Sequence, residues 1–298
     1  MRRSTIPALV VLAAVSVGCA DAPTLPSLSP TVVNARGGPS AAGAQLVYGL
    51  TGDDQLISFD AARPNRVLAT VAITGLQPGE RLVGIDFRPS NVATSTLGTI
   101  GRLYGVGSGS RIYTIDASTG AATFVAALVT AIGTPVPLRG HAFGVGFNPV
   151  PDRLRIHSDL DQNLRVNVDN GVTIVDGTLQ YTDGNGNPTL VATGYTNNDN
   201  DGATGTALYA IDSDQDALAL ITDPNGGTGR LVGALGVDTD AVAGFDIAFP
   251  GNTAYAALSE SASGKSTLYT VDLATGAATK LGLIAQSSSA LVSIAVQP

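Results

Sequence analysis

The chain has 298 residues, of which 44% are hydrophobic and 13% are charged, and its formal net charge at pH 7 is −8. Its lysines are Lys265 and Lys280 alone, and the sequence contains no basic patch, so nucleic acid is excluded as an expected partner. Cys19 is the only cysteine, which excludes an intrachain disulfide.

The first 18 residues have the composition of a secretory signal. Arg2 and Arg3 form a basic start, and the apolar run from Ile6 to Val17 is too short to cross a membrane as a helix. Residues 15–19, Val-Ser-Val-Gly-Cys, resemble the lipobox of bacterial lipoproteins, in which the cysteine is acylated. An ordinary signal followed by a chance cysteine is the alternative.

We therefore predict a lipoprotein signal peptide over residues 1–18 and lipidation at Cys19, with a membrane as the partner of the acyl chains. Ala20, and not an aspartate, follows the cysteine. By analogy with other bacterial lipoproteins, we expect the protein to be located in the outer membrane. Residues 19–43 are rich in Ala, Pro, Ser, Thr and Gly, which is typical of a flexible tether. Residues 44–298 are left for a single folded domain.

Internal repetition organises that domain. The segment Ile112–Thr123 and the segment Leu268–Thr279 are identical at most of their twelve positions. Weaker copies follow the same pattern, an alternating apolar run that ends in an aspartate before a turn. The five aspartates are Asp60, Asp116, Asp169, Asp223 and Asp272. We expect each of them to hold an Asx turn between two strands.

A second repeated pattern marks the innermost strand of each unit. It runs over residues 84–89 and 144–149 and begins again at Gly244, and residues 293–298 at the C-terminus share it. Glycines there indicate close backbone approach. We predict an all-β protein, a β-propeller of five four-stranded blades closed by the C-terminal strand. Six blades follow if residues 178–182 start a separate sheet, and a two-layer sandwich is a further alternative.

Four of the eight tyrosines, Tyr48, Tyr104, Tyr209 and Tyr255, occupy one position of the repeat, on the strand after the inner one. Recurring aromatic spacing of this kind indicates core packing rather than a shelf for a ligand.

Four segments resemble a known family: Asn148-Pro149, Asp152-Arg153-Leu154-Arg155, Gln162-Asn163-Leu164-Arg165 and Tyr195-Thr196-Asn197-Asn198-Asp199. They are similar to the bacterial exported proteins grouped as domain of unknown function 4394 (DUF4394), and the likeness covers the chain from about Leu46 onward. The resemblance implies an exported, propeller-like domain and supplies no activity. His157 and Asp161 stand where the family leads us to expect a small or apolar residue and a glycine.

Acidic loops are expected to gather at one face of the propeller, around the channel mouth. These residues are Asp53, Asp54, Asp159, Asp161, Asp214, Asp216 and Glu260, with Glu80, Asp240 and His141 nearer the channel. Such a mouth could hold a cation or attract a basic or polyhydroxylated ligand. The alternative is that loops are simply polar in an acidic protein.

The candidate ligand face consists of His141, His157, Asp159, Asp161, Asp86 and Asp246. His141 precedes an inner strand and is the better candidate for an acid or base. A Ser-His-Asp triad at residues 157–159 is disfavoured, because neighbouring strand residues point to opposite faces. Asp86 and Asp246 lie on inner strands and could face the channel.

Calcium is the one cofactor that the sequence suggests. Asn197, Asp199 and Asp201 alternate as oxygen ligands and a glycine follows, as in the first half of a Ca²⁺ loop. Leu208 stands where a bidentate glutamate would be needed, so the alternative is a solvated turn. The expected function is an anchored scaffold that binds a protein, glycan or small molecule. A Ca²⁺-dependent hydrolase or lyase acting at the channel mouth is the competing hypothesis.

Overall fold

The computed structural model describes residues 45–89, 101–199, 201, 203–259, 264–284 and 289–298. These residues form strands and no helix. The strands are β1 (Leu46–Thr51), β2 (Gln55–Asp60), β3 (Val67–Ala72), β4 (Leu82–Phe87), β5 (Leu103–Gly107), β6 (Arg111–Ile115), β7 (Ala122–Ala127), β8 (Phe143–Asn148), β9 (Arg153–Ser158), β10 (Asn163–Val166), β11 (Thr173–Val175), β12 (Gln180–Tyr181), β13 (Leu190–Tyr195), β14 (Leu208–Asp212), β15 (Ala217–Asp223), β16 (Thr228–Ala234), β17 (Ala243–Ala248), β18 (Thr253–Ser259), β19 (Ser266–Val271), β20 (Ala278–Leu283) and β21 (Leu291–Val296).

The strands form five small sheets arranged in a ring, so the predicted five-bladed β-propeller is confirmed. Blade 1 has the order β21-β1-β2-β3, blade 2 is β4 to β7, blade 3 is β8 to β11, and blade 5 is β17 to β20. Blade 4 contains β13 to β16 and a fifth strand. The innermost strands of the five blades are β21, β4, β8, β13 and β17.

The C-terminal strand closes the ring as predicted. β21 is antiparallel to β1, with Val296 opposite Val47 and Ile294 opposite Gly49. The first blade therefore combines strands from both ends of the described domain, and this shared blade closes the ring.

The six-blade alternative is wrong. β12 forms no separate sheet but pairs in parallel with β16, with Gln180 opposite Thr228 and Tyr181 opposite Gly229. The chain that leaves blade 3 thus crosses to the outer edge of blade 4 before it returns to the inner strand β13. This crossing accounts for the long connection between the two blades.

Glycines on the inner strands allow neighbouring blades to approach closely, as the sequence predicts. A Cβ atom at Gly84 would lie 2.4 Å from Cγ2 of Val145 in the next blade. One at Gly244 would lie 2.5 Å from the backbone nitrogen of Ile294. Side chains at these positions would push two inner strands apart.

The hydrophobic core lies between adjacent blades. Tyr48 of blade 1 meets Phe87 of blade 2 edge to face, with ring centroids 5.4 Å apart. Tyr104 of blade 2 meets Phe147 of blade 3 in the same way, also at 5.4 Å. The recurring tyrosine is therefore a packing device, and such pairs add to the energy of area burial.

Four of the five predicted Asx turns are confirmed. The carboxylates of Asp60, Asp116, Asp223 and Asp272 each accept the N–H of the residue two positions later, at 2.8 to 3.2 Å. Asp169 is the exception. Asn167 makes the turn in blade 3, because its Oδ1 accepts the N–H of Asp169 at 3.1 Å. The turn residue of this blade therefore lies two positions earlier in the sequence than predicted.

Candidate functional site

A small pocket, here called the mouth pocket, opens where the inner strands begin. Its volume is about 130 Å³. The apolar walls come from blades 1, 2, 3 and 5 and include Leu82, Val83, Ala142, Phe143, Val242 and Val292. Arg81 and His141 supply its ionisable side chains. The sequence predicts His141 near the channel mouth but does not single out Arg81.

Arg81 and His141 occupy the same position in neighbouring blades, three residues before the inner-strand glycines Gly84 and Gly144. The equivalent residues of blades 4, 5 and 1 are Thr189, Ala241 and Ala290. The two side chains able to carry a positive charge therefore stand side by side, and small residues occupy the rest of this ring. The aligned position was the sequence signal that could have found Arg81.

The guanidinium group of Arg81 is exposed and forms no hydrogen bond or ion pair with any residue that the structure describes. Its backbone N–H donates to Oγ of Ser108 at 3.2 Å, which fixes the start of the strand. Burial raises the pKa of the nearby Asp54 carboxyl, and the positive charge of Arg81 partly offsets that rise. The N–H donors of an arginine without such partners remain available to a ligand.

His141 is 87% exposed and is held by Asp159. Oδ1 of Asp159 accepts the backbone N–H of His141 at 2.8 Å, and Oδ2 lies 3.5 Å from the ring Nδ1. Because Nδ1 faces the carboxylate, Nε2 is the ring nitrogen left for a ligand.

Three acids of the predicted mouth form hydrogen bonds between neighbouring blades, here called clasps. Oδ1 of Asp54 in blade 1 accepts the N–H of Leu82 in blade 2 at 3.0 Å. Oδ1 of Asp216 in blade 4 accepts the N–H of Thr239 before the inner strand of blade 5 at 2.8 Å. Such carboxylates already have partners and are poor candidates for binding a ligand.

The clasp recurs around the ring. Ser110 of blade 2 accepts the N–H of Leu138 at 2.9 Å, and Ser266 of blade 5 accepts the N–H of Leu291 at 2.9 Å. Between blades 3 and 4, the side-chain amide of Asn187 donates to both oxygens of Asp161 at 3.1 Å. Asp54, Ser110, Asp161 and Asp216 all have positive φ angles, between 46° and 62°, which Asp tolerates better than most residues.

The remaining predicted mouth acids also have partners. Asp53 accepts Oγ–H of Ser289 at 2.8 Å, and Asp214 accepts Oγ1–H of Thr189 at 3.0 Å. Asp240 bonds the N–H of Val242 at 2.8 Å, and Glu80 accepts the hydroxyl of Tyr113 at 2.6 Å. Glu260 lies outside the described residues.

Asp86 and Asp246 lie on inner strands as predicted but are buried, and each ties two blades together. Oδ2 of Asp86 accepts the N–H of Phe147 in blade 3 at 2.6 Å, and Oδ2 of Asp246 accepts the N–H of Val296 in blade 1 at 2.6 Å. Burial, and then the charge of Asp246, raise the pKa of Asp86 well above its ordinary value. Burial raises the pKa of Asp246 to about 7.

His157 lies inside the protein rather than at the mouth, so the six residues of the candidate ligand face do not form one surface. Its side chain is fully buried on β9, opposite Gly144 and Asn163. Neither ring nitrogen has a hydrogen-bond partner among the described residues. Burial first, and the charge of Arg155 second, lower the pKa of His157 to about 3.

Two buried arginines at the boundaries of blade 3 were missed by sequence analysis. Arg88 of blade 2 is 4% exposed and bonds Asp152 and Asp169 of blade 3, with Nε to Oδ1 of Asp152 at 2.9 Å and Nη1 to Oδ1 of Asp169 at 2.6 Å. Asp169 therefore serves an interblade ion pair instead of a turn.

Arg155 stands at the position where other blades have the packing tyrosine. Its Nε donates to the hydroxyl of Tyr195 in blade 4 at 3.2 Å, and its Nη1 donates to Asp176 at 2.6 Å. Nη2 reaches Asn225 of blade 4 at 3.0 Å. A charged network therefore stands where other blades have the tyrosine, and its donors are paired, as burial requires.

The residues proposed for Ca²⁺ are engaged with one another and with the next blade. Oδ1 of Asn197 accepts an amide N–H of Asn252 at 2.6 Å. Asp199 and Asp201 each cap their own turn, accepting the N–H groups of Asp201 and Ala203 at 2.9 Å. Across the described part of the chain, no three His, Cys, Asp or Glu side chains lie close enough to hold a metal ion. The calcium site stays a prediction.

Residues 55–295 match the family model described as Domain of unknown function (DUF4394). The chain belongs to the DUF4394 family. The resemblance seen in the sequence is thereby confirmed. In this DUF4394 protein, the segments that carry the resemblance lie largely at blade boundaries, where Asp152 binds Arg88 and Arg155 binds Tyr195. Their visible role here is structural.

Three solved structures similar to this DUF4394 chain each share less than 20% sequence identity with it. A protein of unknown function from Bacteroides thetaiotaomicron VPI-5482 has a TM-score of 0.44 and 15% identity, over 80% of this chain and 58% of that one. A Lactobacillus plantarum protein has a TM-score of 0.37 and 16% identity, covering 85% and 72%. An auxiliary nutrient binding protein from Bacteroides thetaiotaomicron VPI-5482 has a TM-score of 0.39 and 13% identity, covering 70% and 55%.

These are likenesses to the fold alone, and the chain spans 58% of the length of the first of these structures. No curated protein matches the chain. Among the described residues, no helix has the length and apolar character needed to cross a membrane. Cys19, the predicted signal peptide over residues 1–18 and the predicted tether over residues 19–43 lie outside the described residues.

Proposed function

We propose that this DUF4394 protein is a lipid-anchored protein of the cell envelope whose propeller binds a small molecule at the mouth pocket. The observation that carries the proposal is the composition of that pocket. Apolar walls such as Val83 and Phe143 surround it, and Arg81 and His141 are the ionisable groups that line it. Mostly apolar walls with a few convergent polar groups are typical of small-molecule sites.

Binding is favoured over catalysis because the polar groups near the channel are already engaged. The carboxylates of Asp86 and Asp246 each accept two backbone N–H groups, and His157 is buried away from the mouth. An active site of the hydrolase or lyase type would need several free polar groups converging on one reacting atom. Of the mouth-pocket residues, Arg81 and His141 alone offer ionisable groups, and neither is a nucleophile held beside a base.

The anchor is proposed from the N-terminal sequence. Residues 1–18 have a basic start and a short apolar run, and Cys19 ends a lipobox-like segment. A lipidated cysteine would hold the propeller at a membrane, with residues 19–43 as the tether. The proposed address is the outer membrane.

Fractionation of cells that produce the full-length chain tests the anchor. The wild-type protein should appear in the membrane fraction, and mass spectrometry should find acyl chains on Cys19. The Cys19→Ala variant should lose both properties. Wild-type protein recovered in the soluble fraction with an unmodified Cys19 would refute the anchor without touching the binding proposal.

Ligand-detected NMR with a library of small fragments tests the binding function. Ala241 is exposed and lines the pocket, so Ala241→Phe should fill the pocket without disturbing the core. We expect fragments that bind the wild-type protein and no longer bind Ala241→Phe. Fragments that bind both proteins equally, or no binding fragment at all, would contradict a site at the mouth.

A further inference from the structure

The permanently charged group that the mouth pocket offers to a ligand, the Arg81 guanidinium, is a hydrogen-bond donor, although the protein as a whole is acidic. The acids around the pocket are engaged elsewhere: Asp54 holds Leu82, and Asp159 holds the backbone N–H and the ring of His141. Arg81 is the charged side chain of the pocket that no described residue pairs with.

We propose that the mouth pocket selects small monocarboxylates that carry a compact apolar body, an inference that rests on the proposed function. The carboxylate binds Arg81 at the rim, and the apolar body enters the pocket between Val83, Phe143 and Val242. The sequence predicts instead a cation or a basic or polyhydroxylated ligand, because it shows the acids without their hydrogen bonds.

The chemistry of Arg81 fits a carboxylate. A guanidinium group presents a planar fork of N–H donors that matches the two oxygens of a carboxylate, and such charge-assisted bonds are stronger than neutral ones. His141 stands at the same ring position in the adjacent blade, and in its imidazolium form Nε2–H adds a second donor from the side. Asp159 keeps that ring in place through Nδ1.

The size of the pocket limits the apolar body. Its volume of about 130 Å³ is close to that of a protein cavity that holds one benzene molecule, ~150 Å³. Drug-sized ligands need pockets of roughly 300 Å³ or more. The ligand therefore places about six heavy atoms inside and keeps its charged group at the rim.

Three probes with one apolar body and different charge test the proposal: benzoate, benzyl alcohol and benzylamine. Affinities are measured by NMR titration of the full-length protein at pH 7. We expect benzoate to bind more tightly than benzyl alcohol, and benzylamine to bind least. Arg81→Gln should weaken benzoate roughly tenfold or more and leave benzyl alcohol unchanged.

Arg66→Gln is the matched control. Arg66 is exposed in the turn between the third and fourth strands of blade 1, away from the mouth, so its loss should leave benzoate affinity unchanged. An unchanged melting temperature for both variants shows that they remain folded.

The outcomes separate the two proposals. If none of the three probes binds, or if Ala241→Phe binds them as the wild type does, the mouth pocket is not the site and the proposed function fails with this inference. If benzyl alcohol or benzylamine binds as tightly as benzoate, or if Arg81→Gln leaves benzoate unaffected, the binding function stands and the preference for carboxylates is overturned.

Discussion

Asp159 holds His141 at two points: Oδ1 accepts the backbone N–H at 2.8 Å, and Oδ2 lies 3.5 Å from the ring Nδ1. The histidine that faces the mouth pocket is thus oriented by an acid from its own blade. The two residues lie 18 positions apart and meet because β8 and β9 form a hairpin.

This pair predicts the tautomer of His141. When the ring is neutral, Nδ1 should carry the proton that faces Asp159, and nitrogen-15 NMR can detect this. Asp159→Asn can keep an acceptor for the backbone N–H while removing the negative charge, so the population of the Nε2-protonated tautomer should rise. A spectrum with Nε2 predominantly protonated in the wild-type protein would contradict the described orientation.

Asp216 provides a test of the clasps between blades. It has a positive φ of 46°, and its Oδ1 accepts the N–H of Thr239 at 2.8 Å. Asp216→Ala removes the acceptor and places a residue with a Cβ and no side-chain hydrogen bond in left-handed backbone, so we expect a loss of about 1–3 kcal/mol in the free energy of unfolding.

Asp216→Asn is the matched control, since asparagine tolerates the same backbone and keeps one acceptor oxygen. It should remain close to wild type in urea denaturation. If alanine and asparagine variants lose the same stability, the clasp hydrogen bond contributes nothing and the argument fails.

His157 predicts a loss of stability in acid. Its folded-state pKa is lowered to about 3, whereas an unfolded histidine has a pKa of about 6.5. The unfolded chain therefore takes up a proton in this window and the folded protein does not. The contribution of His157 to the free energy of unfolding is fully present above about pH 6.5. It is lost as the pH falls toward 3, by up to about 1.4 kcal/mol per pH unit.

His157→Leu should remove that dependence and also remove two buried nitrogens that lack partners. Its gain in stability over wild type should be larger at pH 4.5 than at pH 7.5. Equal effects of His157→Leu at the two pH values would show that the buried ring is charged or hydrated in the folded protein.

Asp246 predicts a pH dependence of opposite sign. Its pKa is raised to about 7 in the folded protein, above the ordinary aspartate value of about 3.9. The folded protein therefore holds a proton that the unfolded chain has lost. This contribution to stability is present below pH 3.9 and disappears as pH rises through 7.

Asp246→Asn cannot titrate, so relative to wild type it should lose more stability at pH 4.5 than at pH 7.5, measured by chemical denaturation. A constant difference between Asp246→Asn and wild type across this range would mean that the buried carboxyl is ionised throughout.

The fold could be predicted because it repeats. The alternating strands and inner glycines reflect local backbone requirements, and the recurring tyrosines reflect core packing. Each signal is weak alone and becomes strong when it recurs around the ring. The exception in blade 3 has a local cause. Asn167 can hold the turn as well as an aspartate can, and the sequence pattern alone favours the nearby Asp169.

The site could be predicted only in part, because the role of a polar side chain depends on partners that are distant in the sequence. Asp54 looks like a free loop acid until Leu82, 28 residues later, is seen to donate to it. His157 looks like a second histidine at the mouth until its side chain is seen to be fully buried. Arg81 becomes notable once those acids are occupied.

The preference for carboxylates is tested most directly by a high-resolution crystal structure of the protein grown with benzoate. We expect the ring to lie between Val83, Phe143 and Val242, with the carboxylate oxygens within about 3 Å of the Arg81 guanidinium nitrogens. Benzoate absent from the mouth pocket, or bound there with its carboxylate turned away from Arg81, would contradict it.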